Sequence, residues 1–208
     1  MSNTTIVAEI ACAHNGSKSN LLRLINIAKK SDCDIVQFQF FKPDEISIKG
    51  TDDYKILSKL EIGKKYYNSV FKECKKLNIP FWCMVSDIHT AKIINTFKPK
   101  MWRIHSSDIQ NDALIKYLIK TKKPISLSTG GSTIKEISNC INYIKKNKGK
   151  ISLLSHGFQG YPTPIDEANI NFIKTLKKKF KIDISYQDHT SPTNKIINDL
   201  SDIAIAVG

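Results

Sequence analysis

The sequence has almost no arginine. Of its 32 basic residues only Arg23 and Arg103 are arginine, although the formal net charge is +13. Base and phosphate recognition favours the planar guanidinium fork. The lysines instead recur in amphipathic stretches such as "IKKNKGK" and "LKKKFK", where a solvated helix face places them. The basicity is therefore compositional bias, and no nucleic-acid partner is expected. No run approaches the roughly 18 apolar residues of a membrane span. The opening "MSNTTIVAEI" carries no basic segment or cleavage site of a secretory signal, so no membrane partner is expected either. The five cysteines (Cys12, Cys33, Cys74, Cys83, Cys140) are odd in number and form no C-x-x-C pair. That disfavours a disulfide framework or structural zinc and fits reduced thiols in a cytoplasm. Also missing are a G-x-G-x-x-G turn, a Ser–His–Asp set and an activated cysteine, and Cys83 inside "PFWCMV" reads as core.

What is present is alternation. Short β-branched or aromatic runs at 5–11, 34–40, 80–85, 101–106, 124–129, 151–157 and 183–188 are separated by longer stretches with apolar residues at helical spacing. Asp87 and Asn111 are placed to cap helices, and Thr133 with Glu136 forms a capping box. Such alternation predicts βαβ units on a parallel sheet. Region 41–65 is too long for a simple connection and reads as an elaborated loop over one end of the sheet. No linker or low-complexity segment marks a domain boundary, so residues 1–208 read as one domain.

The polar residues decide between a doubly wound sheet and a barrel. Glu9, Gln37, Gln39, Asp87, Arg103, Ser106, Ser128, His156, Asp188 and His189 lie within or at the ends of successive strand candidates. A doubly wound sheet concentrates such groups at one switch point. A barrel gathers the C-terminal ends of all its strands at one mouth. The expected fold is therefore a TIM-type (β/α)8 barrel with about seven βα units present. Its expected site gathers Glu9, Arg103, Ser128 and His189 around one hollow. No lysine ends the fifth or sixth strand, which disfavours a Schiff-base aldolase.

Within "SLSTGGST" (126–133), two hydroxyls, paired glycines and a helix start could seat a phosphate or carboxylate, and Arg103 and Ser106 could reach an anion there. The stretch reads equally as a tight turn. In "HGFQGYPTP" (156–164), Gln159 and Tyr161 sit on a proline-fixed loop suited to a hydroxylated ligand.

Six segments, "AEIACAHNGS", "DIVQFQFFKPDE", "RIHSSDIQN", "PISLSTGGSTIKEI", "LLSHGFQGYPTPIDEANI" and "SYQDHT", occur in the order and spacing of the sialic acid synthase (N-acetylneuraminate synthase) family, which the chain resembles over nearly its whole length. The resemblance implies a metal-dependent barrel enzyme that condenses phosphoenolpyruvate with an N-acylated hexosamine such as N-acetylmannosamine. The products are a nine-carbon 2-keto sugar acid and phosphate. It implies His189 as a ligand of a divalent ion (manganese or magnesium), Asp188 supporting it, and Glu9 orienting the aldehyde or moving a proton. Arg103, Ser106 and Ser128 would hold phosphoenolpyruvate, and Gln39, Gln159 and Tyr161 would contact the amino sugar. An intact homodimer is implied, with an eighth strand carrying a second metal histidine and a C-terminal antifreeze-like domain, none of which this sequence contains. A 208-residue product with two open sheet edges is expected to be marginal or self-associating. The sequence departs from the family at Gln37 (usually lysine), Met84 (commonly threonine), Gln187 (usually small) and Ala13 (usually asparagine), and at Arg103, where lysine is the more familiar cation. These departures leave open a barrel fragment, or a sugar- or anion-binding homologue, without turnover.

Overall fold

A computed structural model describes residues 4–191 and Ala204. It divides into two compact units, Met1–Arg103 and Ile104–Gly208. The first contains β1 (Val7–Glu9), α1 (Lys18–Lys30), β2 (Ile35–Phe40), α2 (Pro43–Ile46), α3 (Asp52–Leu60), α4 (Tyr67–Lys76), β3 (Phe81–Val85), α5 (Ile88–Asn95) and β4 (Met101–Ile104), which ends across the boundary. The second contains α6 (Asp112–Lys120), β5 (Ile125–Ser128), α7 (Ile134–Lys146), β6 (Ile151–His156), α8 (Phe172–Phe180) and β7 (Asp183–Tyr186). Strands β1 to β4 pair in parallel and in chain order. So do β5, β6 and β7. Every strand foreseen from the sequence is present, shorter by one to four residues.

The helices start where their side chains can satisfy the first backbone donors. Asp87 Oδ1 accepts from Thr90 N at 2.7 Å, and Asn111 Oδ1 from Leu114 N at 3.2 Å. Thr133 and Glu136 form the reciprocal box expected of them. Helix ends are less usual. Asp32, Asn78, Lys98, Lys122, Lys148 and Lys181 take positive φ just after six of the helices, the position glycine normally fills. Each costs about 1 kcal/mol relative to glycine.

In the first unit, strand alternation sorts β2 into two faces. Phe38 and Phe40 turn to α4, where Phe40 meets Tyr67 with ring centroids 4.7 Å apart and Phe71 stacks on Phe81 and Phe97 at 4.6 and 4.5 Å. Burying each of the Phe40, Tyr67 and Phe71 rings is worth about 1.5–3 kcal/mol. Gln37 and Gln39 are thereby sent to the other face. In the second unit, Ile125, Leu127 and Leu154 are buried with Ile137, Ile144 and Leu176 of the helices. Alternation then puts Ser126, Ser128, Ser155 and Ser185 on the opposite side.

Two local expectations need correction. Region 41–65 is not only loop: it contains α2 and α3, the latter capped by Thr51 Oγ1 accepting from Tyr54 N at 3.2 Å. The strand drawn over 101–106 ends at Ile104, and Ser106 begins a single 3-10 turn, Ser106–Asp108. His105 Nδ1 accepts from Ser107 N at 3.3 Å at the entry to that turn. Short polar side chains offer the backbone such local partners and so compete with a ladder. Among the described residues no helix is long and apolar enough to cross a membrane.

Candidate active site

The first unit builds an acid–amide–guanidinium relay on the face away from α4. Register sets Glu9 of β1 directly against Gln37 of β2, and places Met84 of β3 between Gln39 and Arg103. Arg103 Nη1 donates to Gln37 Oε1 at 3.0 Å, and Gln37 Nε2 donates to Glu9 Oε2. The amide orientation is forced, because a guanidinium can only donate and an ionised carboxylate can only accept. Gln37 is fully buried and Arg103 nearly so.

Surrounding protein pushes the Glu9 pKa up to about 7, opposed by the Arg103 charge and by the backbone N–H of Ala11. The residue is nevertheless exposed to water, not buried as a mid-strand acid would suggest. Burial lowers the Arg103 pKa while Glu9 opposes the shift, but a guanidinium stays charged at any ordinary pH. Glu9 also contributes to raised thiol pKa values at Cys12 and Cys83, where burial is the larger cause. Cys83 is fully buried, the core residue the sequence indicated.

The loop after β1 is fixed by Gly16. Its φ is +69°, and a Cβ there would lie 2.0 Å from the Lys59 carbonyl oxygen, so no other residue fits. His14 Nδ1 accepts from Gly16 N at 3.0 Å. Burial lowers the His14 pKa and keeps the ring neutral. His14 thus holds a loop.

The second unit builds a hydroxyl row and a set of interlocked loops. Ser155 Oγ lies 3.3 Å from Ser126 Oγ and 2.6 Å from Ser185 Oγ. Ser128 stands opposite Ser155 and is buried. The turn after β5 is closed by Gly130, where a Cβ would lie 2.2 Å from the Gly157 oxygen and 2.6 Å from Gln159 Nε2. Gln159 therefore lies over the paired glycines. His189 Nδ1 donates to the Phe158 carbonyl at 2.7 Å, and Thr163 N donates back to the His189 carbonyl at 2.8 Å. Tyr161, 78% exposed, sets its ring edge-on to His189 at 6.1 Å. His156 is instead a packing residue: its Nε2 donates to the Ala168 carbonyl at 3.0 Å, and burial lowers its pKa.

Several expected site residues are thus brought together within a unit. Glu9, Gln39 and Arg103 share one face of the first. Ser128, Gln159, Tyr161 and His189 lie on the three facing loops and strand ends of the second. Ser106 sits half-buried in its 3-10 turn. Asp188 Oδ1 accepts from Thr190 N and Oγ1 at 2.9 and 2.5 Å, which shapes the turn that presents His189. Three members were missed. Gln37 stood out in the sequence as a polar strand residue and as a departure but was given no role, yet it is the link between acid and cation. Ser155 and Ser185 were legible as serines at alternate, outward-of-core strand positions beside Ser126 and Ser128.

The residues present fit a metal in part. With Nδ1 donating to a carbonyl, Nε2 is the His189 nitrogen left to offer a lone pair, the arrangement a metal-binding imidazole needs. Among the described residues no three metal-capable side chains gather, so these residues supply one ligand and not a complete site.

Residues 24–201 match the model of the NeuB family. The chain belongs to that family. It is 33% identical over 207 residues to the N,N'-diacetyllegionaminic acid synthase of Campylobacter jejuni, covering 91% of this chain and 62% of that protein. It is 23% identical to a pseudaminic acid synthase of the same species, over 89% of this chain and 58% of the relative. In both cases the chain spans about three-fifths of the relative's length. Among solved structures, the sialic acid synthetase of Leptospira borgpetersenii superposes with a TM-score of 0.90 at 26% identity, over 99% of this chain and 70% of that one. A truncated 3-deoxy-D-arabino-heptulosonate 7-phosphate synthase of Thermotoga maritima shares the fold alone, with a TM-score of 0.75 at 17% identity over 98% of this chain and 71% of that chain. The family fold is that of TIM-barrel-type synthases, as the polar strand ends predicted.

Proposed function

We propose that the chain is the barrel part of a nonulosonic acid synthase, joining phosphoenolpyruvate to the aldehyde of an N-acylated hexosamine. The enol carbon C3 of phosphoenolpyruvate forms the new bond to the aldehyde carbon, whose oxygen becomes a hydroxyl. Water adds at C2, and inorganic phosphate leaves as the 2-keto acid forms. The observation that carries this reading is the Glu9–Gln37–Arg103 relay in a NeuB family chain. Arg103 would hold the carboxylate or phosphate of phosphoenolpyruvate, since a fixed guanidinium is a strong partner for either. Taken by itself, the second unit offers Ser106 and Ser128 as hydroxyl donors suited to phosphoenolpyruvate, and Gln159 and Tyr161 as polar groups suited to an amino sugar; in the first unit Gln39 would contact such a sugar. Glu9, with its pKa raised toward neutrality, suits proton transfer to the developing alkoxide. His189 would hold a divalent manganese or magnesium ion through Nε2; such an ion, when bound, supplies Lewis-acid polarisation of an aldehyde oxygen.

The named C. jejuni relatives support the legionaminic and pseudaminic types of product as candidates beside sialic acid. The test is phosphate release. The chain is incubated with manganese, phosphoenolpyruvate and a panel of N-acyl hexosamines and their dideoxy forms. Phosphate is expected only when a matching sugar is present. Sugar or phosphoenolpyruvate binding without phosphate from any member of the panel would replace the synthase by a binding homologue.

A further inference from the structure

A concave site lies in the first unit on the helix side of the sheet, at the N-terminal ends of β3 and β4. It has a volume of about 630 Å³, within the roughly 300–1,000 Å³ of small-molecule sites. Its floor is aromatic. Phe71 of α4 stacks on Phe97 with centroids 4.5 Å apart and planes 30° apart, and on Phe81 at 4.6 Å and 32°. Phe81 and Phe97 are only half-buried, so ring surface remains open to the groove. Its rim is cationic. Lys72 and Lys75 of α4 stand on one side and Lys98 and Lys100 on the other, all exposed, and no acidic residue lines the groove. Elsewhere on α4 the pattern differs, for Lys76 pairs with Glu73 at 3.4 Å. Among the described residues none of the rim lysines is in an ion pair.

We propose that this groove binds a small anion with a planar aromatic body, the ring lying on Phe97 and Phe81 and the acid group held by the lysine rim. Either feature alone is common on a basic protein. Their combination in one concavity selects for a ligand that has both, because an unpaired cation cluster gains from a fixed counter-charge and open ring surface gains from stacking. The site uses no residue of the Glu9 relay and lies on the other face of the same sheet, so it stands or falls independently of the proposed reaction.

The probe is 8-anilinonaphthalene-1-sulfonate, titrated into the 208-residue chain by fluorescence, with neutral N-phenyl-1-naphthylamine and inorganic sulfate as controls for ring alone and charge alone. Saturable binding at one site is expected, with both controls at least about tenfold weaker, each lacking one half of the recognition. Lys98→Glu with Lys100→Glu should weaken the dye at least about tenfold, and Asn68→Trp, on the exposed rim of α4, should abolish binding. Lys145→Glu with Lys146→Glu on α7 should leave it unchanged; circular dichroism checks that each variant is folded. Non-saturable binding, an equal loss in the α7 variant, or no loss in the Lys98 and Lys100 variant would each overturn the proposal. So would sedimentation showing a dimer that Asn68→Trp dissolves, since a second copy would then be the occupant.

Discussion

Replacing Gln37 by leucine is the sharpest test of the relay, because it keeps the volume and removes only the polar bridge. Two hydrogen bonds go at once: Arg103 Nη1 to Oε1 at 3.0 Å, and Nε2 to the Glu9 carboxylate. A hydrogen bond to a charged group contributes about 1.5–3 kcal/mol. The Glu9 bond falls at the low end, because that residue is open to water. The Arg103 bond falls toward the high end, since Arg103 is 4% exposed and little water reaches it to replace the lost acceptor. Leucine recovers part of this by burying apolar surface. The net loss is about 2–4 kcal/mol, which at a urea slope near 2 kcal/mol/M moves the midpoint down by about 1–2 M. A second readout isolates the chemistry from the folding. Carbon-13 NMR of labelled glutamate side chains should show Glu9 titrating at higher pH in Gln37→Leu than in the parent, because the donor that favours its charged form is gone. A midpoint within about 0.25 M of the parent, together with an unmoved Glu9 titration, would refute the relay.

Stability should also carry the signature of Glu9. Its folded pKa lies above its unfolded one, so between about pH 4.5 and 7 the native state binds more protons than the unfolded chain, and stability falls as pH rises through that window and levels off above it. Glu9→Gln should flatten this slope when urea midpoints at pH 5 and pH 8 are compared; an equal slope in both proteins would exclude Glu9 as its source. Lys148→Gly, at a left-handed position of φ 61° after α7, should raise stability by about 1 kcal/mol, and a lower melting temperature would show that the lysine side chain is needed there. His189→Ala should abolish phosphate release and weaken manganese binding measured by calorimetry, whereas unchanged affinity would remove His189 from the metal role.

The sequence carried the element order because alternation of short β-branched runs with amphipathic ones is written locally, residue by residue. It carried the caps for the same reason: Asp87, Asn111 and Thr133 act on backbone atoms only three positions away. Where it erred, short polar residues were choosing between local and ladder partners, as at Ser106, or a charged stretch hid two short helices, as at 41–65. What it could not show is pairing across strands. Gln37 and Glu9 are 28 positions apart, and Gln37 and Arg103 are 66 apart. Only the register decides that these meet, and that Ser155 joins Ser126 and Ser185 in one row.

The relay explains how the site tolerates glutamine where the resemblance leads one to expect lysine. A lysine at position 37 would bring a second buried cation beside Arg103, and two like charges in a desolvated space repel. It would also hold Glu9 fully ionised. The amide does neither. It satisfies the guanidinium with one end and the carboxylate with the other, so the face carries one positive and one negative group and is close to neutral when Glu9 is ionised. An anion arriving at Arg103 therefore meets net positive charge only when Glu9 holds a proton. With the Glu9 pKa raised toward 7, that proton is available at modest cost near neutral pH, and it is also the proton a developing alkoxide would need. Under the proposed reaction one carboxyl group would thereby set both the charge an anion meets and the proton on offer, and Gln37 is the residue that couples it to the cation.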